Sequence, residues 1–160
     1  MASFAQAPTY QQEFAGNMDF HRNHVLLLLE AIPDEKLDWK SGEDVRSISE
    51  VVAHIAASTY NLSSALGKDL PEGIDPSTFE KALLTKEQLS KAINNAFAFA
   101  KEASESVSDE DLTTQVDLPF GTFTKRAVMT LILSHDTQHK GQFIAYARFI
   151  GVTPPWNGDN

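Results

Sequence analysis

The sequence predicts an all-α fold, a bundle of four helices with a long crossover between the second and third, formed as a single domain over residues 1–160. Three observations carry this reading: four long segments of helical period, clusters of Pro, Gly, Ser and Asp between them, and no convincing alternation of polar and apolar residues. A chain of 160 residues and 17.6 kDa buries about two-thirds of its unfolded surface, enough for one sizeable core. A second independent domain has no room.

The first segment runs from Tyr10 to Ile32. Phe14, Met18, His21, Val25, Leu28 and Ile32 fall on one face at about 100° per residue, and Pro33 closes the helix. The second follows Ser41 and Gly42, with Ile48, Val51, Val52, Ile55, Thr59, Leu62 and Leu66 on one side before Gly67. Ser47 with Glu50 three residues later forms a capping-box pattern, which puts the true start near Ser47. The third covers Thr85 to Val107 and carries Leu89, Ile93, Ala96, Phe97 and Ala100, an Ala-rich and therefore thin face. The fourth runs from Thr124 to Ile150, with Val128, Leu131, Ile132, Phe143, Tyr146, Phe149 and Ile150 as its stripe, and stops at Gly151 before Pro154 and Pro155.

The connections differ in length. Between Gly67 and Thr85 lie Pro71, Gly73, Pro76 and the fragment FEKALL, long enough to carry the chain back along the bundle so that helices two and three run parallel. The stretch QVDLPFGTF, Gln115 to Phe123, is expected to hold a short extended piece turning at Gly121.

There are no cysteines, which removes disulfides, thiolate metal sites, iron–sulfur clusters and a cysteine nucleophile together. Any bound metal is held by His, Asp or Glu. The formal charge of -9 is the wrong sign for nucleic acid or an anionic membrane as partner. MASFAQAPTYQQEF lacks the regions of a signal peptide, and no stretch approaches the ~20 apolar residues of a membrane helix. A soluble, cytoplasmic protein is expected.

The five histidines are His21, His24, His54, His135 and His139, all on predicted helices. His135 and His139 are one turn apart, about 40° from each other around the helix, inside the apolar stripe of the fourth segment. An unsatisfied polar group buried there costs about 1–3 kcal/mol, and aliphatic neighbours cannot satisfy two imidazoles. His54, at the margin of the apolar face of the second helix, can reach across to them. Together the three make a nitrogen site with a position left for water, the arrangement of catalytic zinc sites. The same donors suit nickel, copper, cobalt or ferrous iron. His21, on the core stripe of the first helix, is the weak catalytic candidate, with a fourth ligand, an outer partner or a satisfied core histidine as its other readings. Glu13 and Tyr60 are further candidates for a general base. His24 lies off its stripe, and Asp136 points about 100° from His135, so neither reads as a ligand. Tyr60, Tyr146, Phe97, Phe99, Phe143 and Phe149 read as core and pocket wall. No glycine-rich phosphate loop or Gly-x-Ser-x-Gly elbow is present.

Three stretches, RSISEVVAHIAAS, LPFGTFTKRAVMTLILSHDTQHKGQF and RFIGVTPPW, resemble the DinB-like family of damage- and stress-associated bacterial proteins, and the resemblance extends over nearly the whole chain. Gly141 and Gln142 fit the ending of the paired-histidine motif, with Lys140 where Arg is commoner. The resemblance implies a four-helix bundle in up-down-down-up order and a divalent metal on His54, His135 and His139, zinc or nickel in the first place. It also implies a homodimer. A related branch of the family uses such a metal to activate a small-thiol cosubstrate. Two functions follow as expectations: a metal-dependent enzyme that transfers a small thiol or hydrolyses a small-molecule substrate, and a non-catalytic metal-binding module for stress response or dimerisation. Apolar surface left by the thin third helix is a second reason to expect a dimer. Three neutral imidazoles would leave a cation uncompensated and favour an anionic substrate or hydroxide.

Overall fold

The computed structural model describes residues 7–83 and 85–156. The first six residues, inspected above for a signal peptide, and Leu84, the last residue of FEKALL, lie outside them. The elements are α1 (Tyr10–Ala31), α2 (Ile48–Ser64), a short α3 (Phe79–Ala82), α4 (Lys86–Glu105), a hairpin of β1 (Gln115–Leu118) and β2 (Gly121–Thr124), and α5 (Lys125–Phe149).

Three of the four long helices begin at a capping box, in which a hydroxyl accepts from the third backbone N–H while the third side chain returns a bond to the cap. The pairs are Thr9 with Gln12, Ser47 with Glu50 and Thr85 with Gln88. Thr124 caps α5 by accepting from the Ala127 N–H at 3.1 Å. At the other end of α5, Gly151 takes the left-handed φ of +85° just past the helix, where a side chain would be strained.

Helix ends identify the directions. Gln11 at the start of α1 donates to the Val107 carbonyl beyond α4, and Lys86 at the start of α4 donates to the Glu30 carbonyl near the end of α1, so the two are antiparallel. The Tyr10 hydroxyl meets Thr130 at 2.7 Å, so α1 and α5 start at the same end. Lys68, just past α2, pairs with Glu102 near the end of α4, and Ser41, ahead of α2, reaches Tyr146 near the end of α5. Hence α2 runs parallel to α4 and antiparallel to α5. Both α1 and α2 pack mainly against α4 and α5.

The core follows the helical period: Phe14, Met18, Val25 and Leu28 from α1, Val51, Val52 and Ile55 from α2, Leu89, Ile93 and Phe97 from α4, and Val128, Ile132 and Phe143 from α5 are all buried. Among the described residues, no helix is long and apolar enough to cross a membrane.

Four expectations change. The stretch before α5 is a two-stranded antiparallel hairpin pairing Val116 with Phe123 and Leu118 with Gly121, turning at Pro119 and Phe120 with Gly121 opening the second strand. Four-residue strands are too short for a strand pattern to be read from polarity. Phe149, assigned to the stripe of the fourth helix, is 75% exposed: it lies about 140° around the helix from the buried Asp136, facing away from the core on which Ile150 and Val152 still pack, and its ring stacks on Trp39. None of the large exposed apolar residues of the described chain, Phe20, Leu27, Val45, Phe120 and Phe149, lies on α4. The apolar surface beside α4 is instead a cleft that Ala92 shares with Tyr60, Ile74, Phe79 and Leu83. Finally, the centre of the α5 stripe is Asp136, 2% exposed, whereas His135 and His139 sit half-buried at its margin.

Candidate metal centre

The margin position of the two histidines of α5 is what allows them to meet a third. His54 on α2 faces the same gap, with ring centroids 5.2 Å from His135 and 4.5 Å from His139, and His135 and His139 are 4.5 Å apart. One donor nitrogen from each falls within 4.8 Å of the others. His21 is not in this group. It sits on the core face of α1, 8% exposed, with its Nδ1 buried and unpartnered.

Each converging imidazole has different support. His54 Nδ1 lies 2.7 Å from Glu80 Oε1, and Arg46 grips the same carboxylate with Nε to Oε2 at 2.8 Å and a second N–H to Oε1 at 3.1 Å. A carboxylate only accepts, so His54 carries its proton on Nδ1 and turns its Nε2 lone pair outward, where the Ser58 hydroxyl lies 3.3 Å away. His139 Nδ1 meets Gln142 Oε1 at 3.0 Å. His135 keeps a buried Nδ1 without a hydrogen-bond partner.

The electrostatics favour neutral imidazoles at His135 and His54. Burial, then His139, His54 and Arg46, push His135 down to about 4. Burial also lowers His54, with Arg46 and His139 adding to it and Glu80 opposing. Burial pushes the Glu80 carboxyl up, but Arg46 and His54 outweigh it and hold Glu80 below its ordinary value. Beside the site, burial raises Asp136 to about 8 against the Thr59 hydroxyl, 3.2 Å away, and the charge of Lys140.

Three nitrogen donors on two helices, with one ring nitrogen hydrogen-bonded at His54 and one at His139, could hold a first-row divalent metal ion. The gap opens beside a cleft of about 570 Å³ lined by Lys40, Glu43, Asp44, Arg46, Glu50 and Glu80, with Gln142 and Val45 completing it. This lining is polar, so the aromatic cleft wall expected from the sequence is corrected: Phe97 and Phe143 are core, and Phe99 faces another cleft, beside Tyr60.

The DinB family profile matches residues 2–158. The chain belongs to the DinB family. Among DinB relatives, it is 28% identical to the uncharacterized protein YjoA of Bacillus subtilis over 136 residues, 83% of this chain and 86% of YjoA. Its fold matches the crystal structure of a DinB-like protein of Bacillus cereus with a TM-score of 0.77 at 20% identity, over 92% of this chain and 98% of that one. It also matches the YjoA structure, with a TM-score of 0.67 at 23% identity over 88% and 94% of the two chains. A conserved protein of Enterococcus faecalis matches with a TM-score of 0.71 at 17% identity over 90% and 98%. At these identities the structures establish the fold alone.

In this DinB chain, two residues at the site escaped the sequence reading. Glu80 belongs to FEKALL, read only as connecting chain. Arg46 stands just ahead of the capping box of α2. The available signal was chemical: a histidine aimed at a metal needs an acceptor behind it, and the long connection carried acids. Glu80 also changes the charge reading, because a carboxylate behind His54 partly compensates a bound cation.

Proposed function

We propose that His54, His135 and His139 hold one divalent ion, zinc or nickel, with a position left for water or a small thiol, and that the chain is a metal-dependent enzyme for a small polar substrate. The observation that carries this is the convergence of three half-buried imidazoles, one donor atom from each within 4.8 Å of the others. An ion bound there supplies Lewis acidity and lowers the pKa of a coordinated water or thiol toward neutrality, which suits hydrolysis or thiol transfer. Glu80, held by Arg46, keeps His54 in the ligating tautomer and makes it a stronger donor. The charged cleft beside the site takes a small hydrophilic molecule rather than an apolar one: its lining charges are Lys40 and Arg46 against Glu43, Asp44, Glu50 and Glu80. His21 takes no part as a base in this reading, since it lies in the core of α1.

The experiment is elemental analysis of protein refolded with zinc, followed by calorimetric titration of the metal-free form. One ion per chain, lost in His54→Ala, is the expected result; no stoichiometric binding of zinc or nickel overturns it. The second reading, a non-catalytic clip joining α2 and α5, is favoured by the same two-helix donor set and predicts thermal stabilisation by metal with no turnover. We further propose a homodimer in solution, which a monomeric mass by scattering at working concentration would refute.

A further inference from the structure

A neutral imidazole has one N–H, so a histidine ligates through Nε2 only while its proton sits on Nδ1. At His54 the carboxylate of Glu80 enforces that. His139 is supported by an amide, and an amide offers either an oxygen or an N–H. With Gln142 Oε1 toward Nδ1, as in the structure, His139 holds its proton there and presents a lone pair to His54 and His135. Turned over, the same amide would donate to Nδ1, drive the proton to Nε2 and remove His139 from the donor set.

The amide is held from behind. Gln142 Nε2 donates to the Tyr146 hydroxyl at 3.0 Å, and the Ser41 hydroxyl donates to that same oxygen at 3.3 Å. Tyr146 is 6% exposed, and the Trp39 ring packs edge-on against it at 5.3 Å and 79°. The phenol is therefore fixed by two residues of the connection between α1 and α2, and its oxygen receives the amide N–H. A chain of hydrogen bonds runs from Ser41 at the surface through Tyr146 and Gln142 to His139.

We propose that Gln142, braced by Tyr146, is a positioning residue that keeps His139 in its ligating tautomer, so that metal affinity answers to the Trp39–Ser41 segment of the α1–α2 connection. The consequence for affinity rests on the metal-binding reading above; the tautomer does not. Nitrogen-15 NMR of the metal-free protein at about pH 8, where histidines are neutral, reads the His139 tautomer directly. The Nδ1–H form is expected to dominate in the native chain and in Gln142→Glu, which can only accept, and to lose its dominance in Gln142→Leu. Zinc affinity is expected to fall about 10- to 100-fold in Gln142→Leu, to return in Gln142→Glu and to fall by less in Tyr146→Phe. Gln142 is only half-buried and Tyr146→Phe removes a single oxygen from a buried ring, so these variants are expected to fold, which circular dichroism checks. An unchanged His139 tautomer in Gln142→Leu overturns the proposal. Failure of the native chain to bind zinc overturns the metal reading instead, and leaves the tautomer measurement standing.

Discussion

Glu80 Oε1 stands 2.7 Å from His54 Nδ1, which joins a four-residue helix in the long connection to a donor of the candidate metal centre. The carboxylate approaches the ring from behind, and Arg46 occupies both of its oxygens, so its placement does not depend on a metal being bound.

Glu80→Gln keeps the shape of that contact and removes its charge and its preference for an N–H donor. Zinc affinity is expected to fall about 10- to 100-fold, as measured by competition with a chelating dye. Arg46→Gln should lower it less, because the carboxylate remains beside His54.

Metal binding to the folded chain alone raises stability by mass action, by about 2.7 kcal/mol when the free ion is at 100 times its Kd. Calorimetric melting with and without zinc should show that rise in the native chain. In His135→Ala, with one of three donors gone, the two curves should coincide.

His21 gives a pH signature separate from the metal. Burial, with Lys140 and His24 adding to it, lowers its pKa to about 4 from 6.5 in the unfolded chain. Between those values the unfolded state takes up a proton that the folded state refuses, so stability is full above pH 6.5 and is lost as pH falls toward 4. A depression of that size is worth on the order of 3 kcal/mol. Urea unfolding of metal-free His21→Leu should therefore show a gain over the native chain that grows as pH falls from 7 to 4.5. A difference independent of pH would refute this.

Phe97 on α4 is fully buried in the core shared by the helices. Phe97→Ala should cost about 3–5 kcal/mol in denaturant unfolding, while Phe149→Ala, at an exposed ring, should stay within about 0.5 kcal/mol.

Much of the fold was legible because it depends on local chemistry. Thr9, Ser47, Thr85 and Thr124 each stand where a hydroxyl meets the unsatisfied N–H groups of a helix start, and an observed helix follows each one. The spacing of Phe14, Met18, Val25 and Leu28 names the buried face of α1 for the same reason. The hairpin was less legible, since four-residue strands take their stability from pairing across Pro119 and Phe120 rather than from a pattern along the chain.

At the site, the pair His135 and His139 could be read because a helix turn brings i and i+4 together without help from the rest of the fold. Their depth could not. Helical period placed them within the stripe, but which part of a wide stripe reaches the centre depends on where neighbouring helices lie, and there Asp136 is innermost.

The sequence by itself determined the four long helices, their buried faces and three histidines able to share an ion, because periodicity and capping act over a few residues. Only the tertiary structure decided which groups stand behind those histidines. Glu80 is 26 residues from His54 and Ser41 is 105 from Tyr146, and no local rule relates them. Packing of the long connection against α2, and of the α1–α2 connection against α5, brings these groups within hydrogen-bonding distance of their partners.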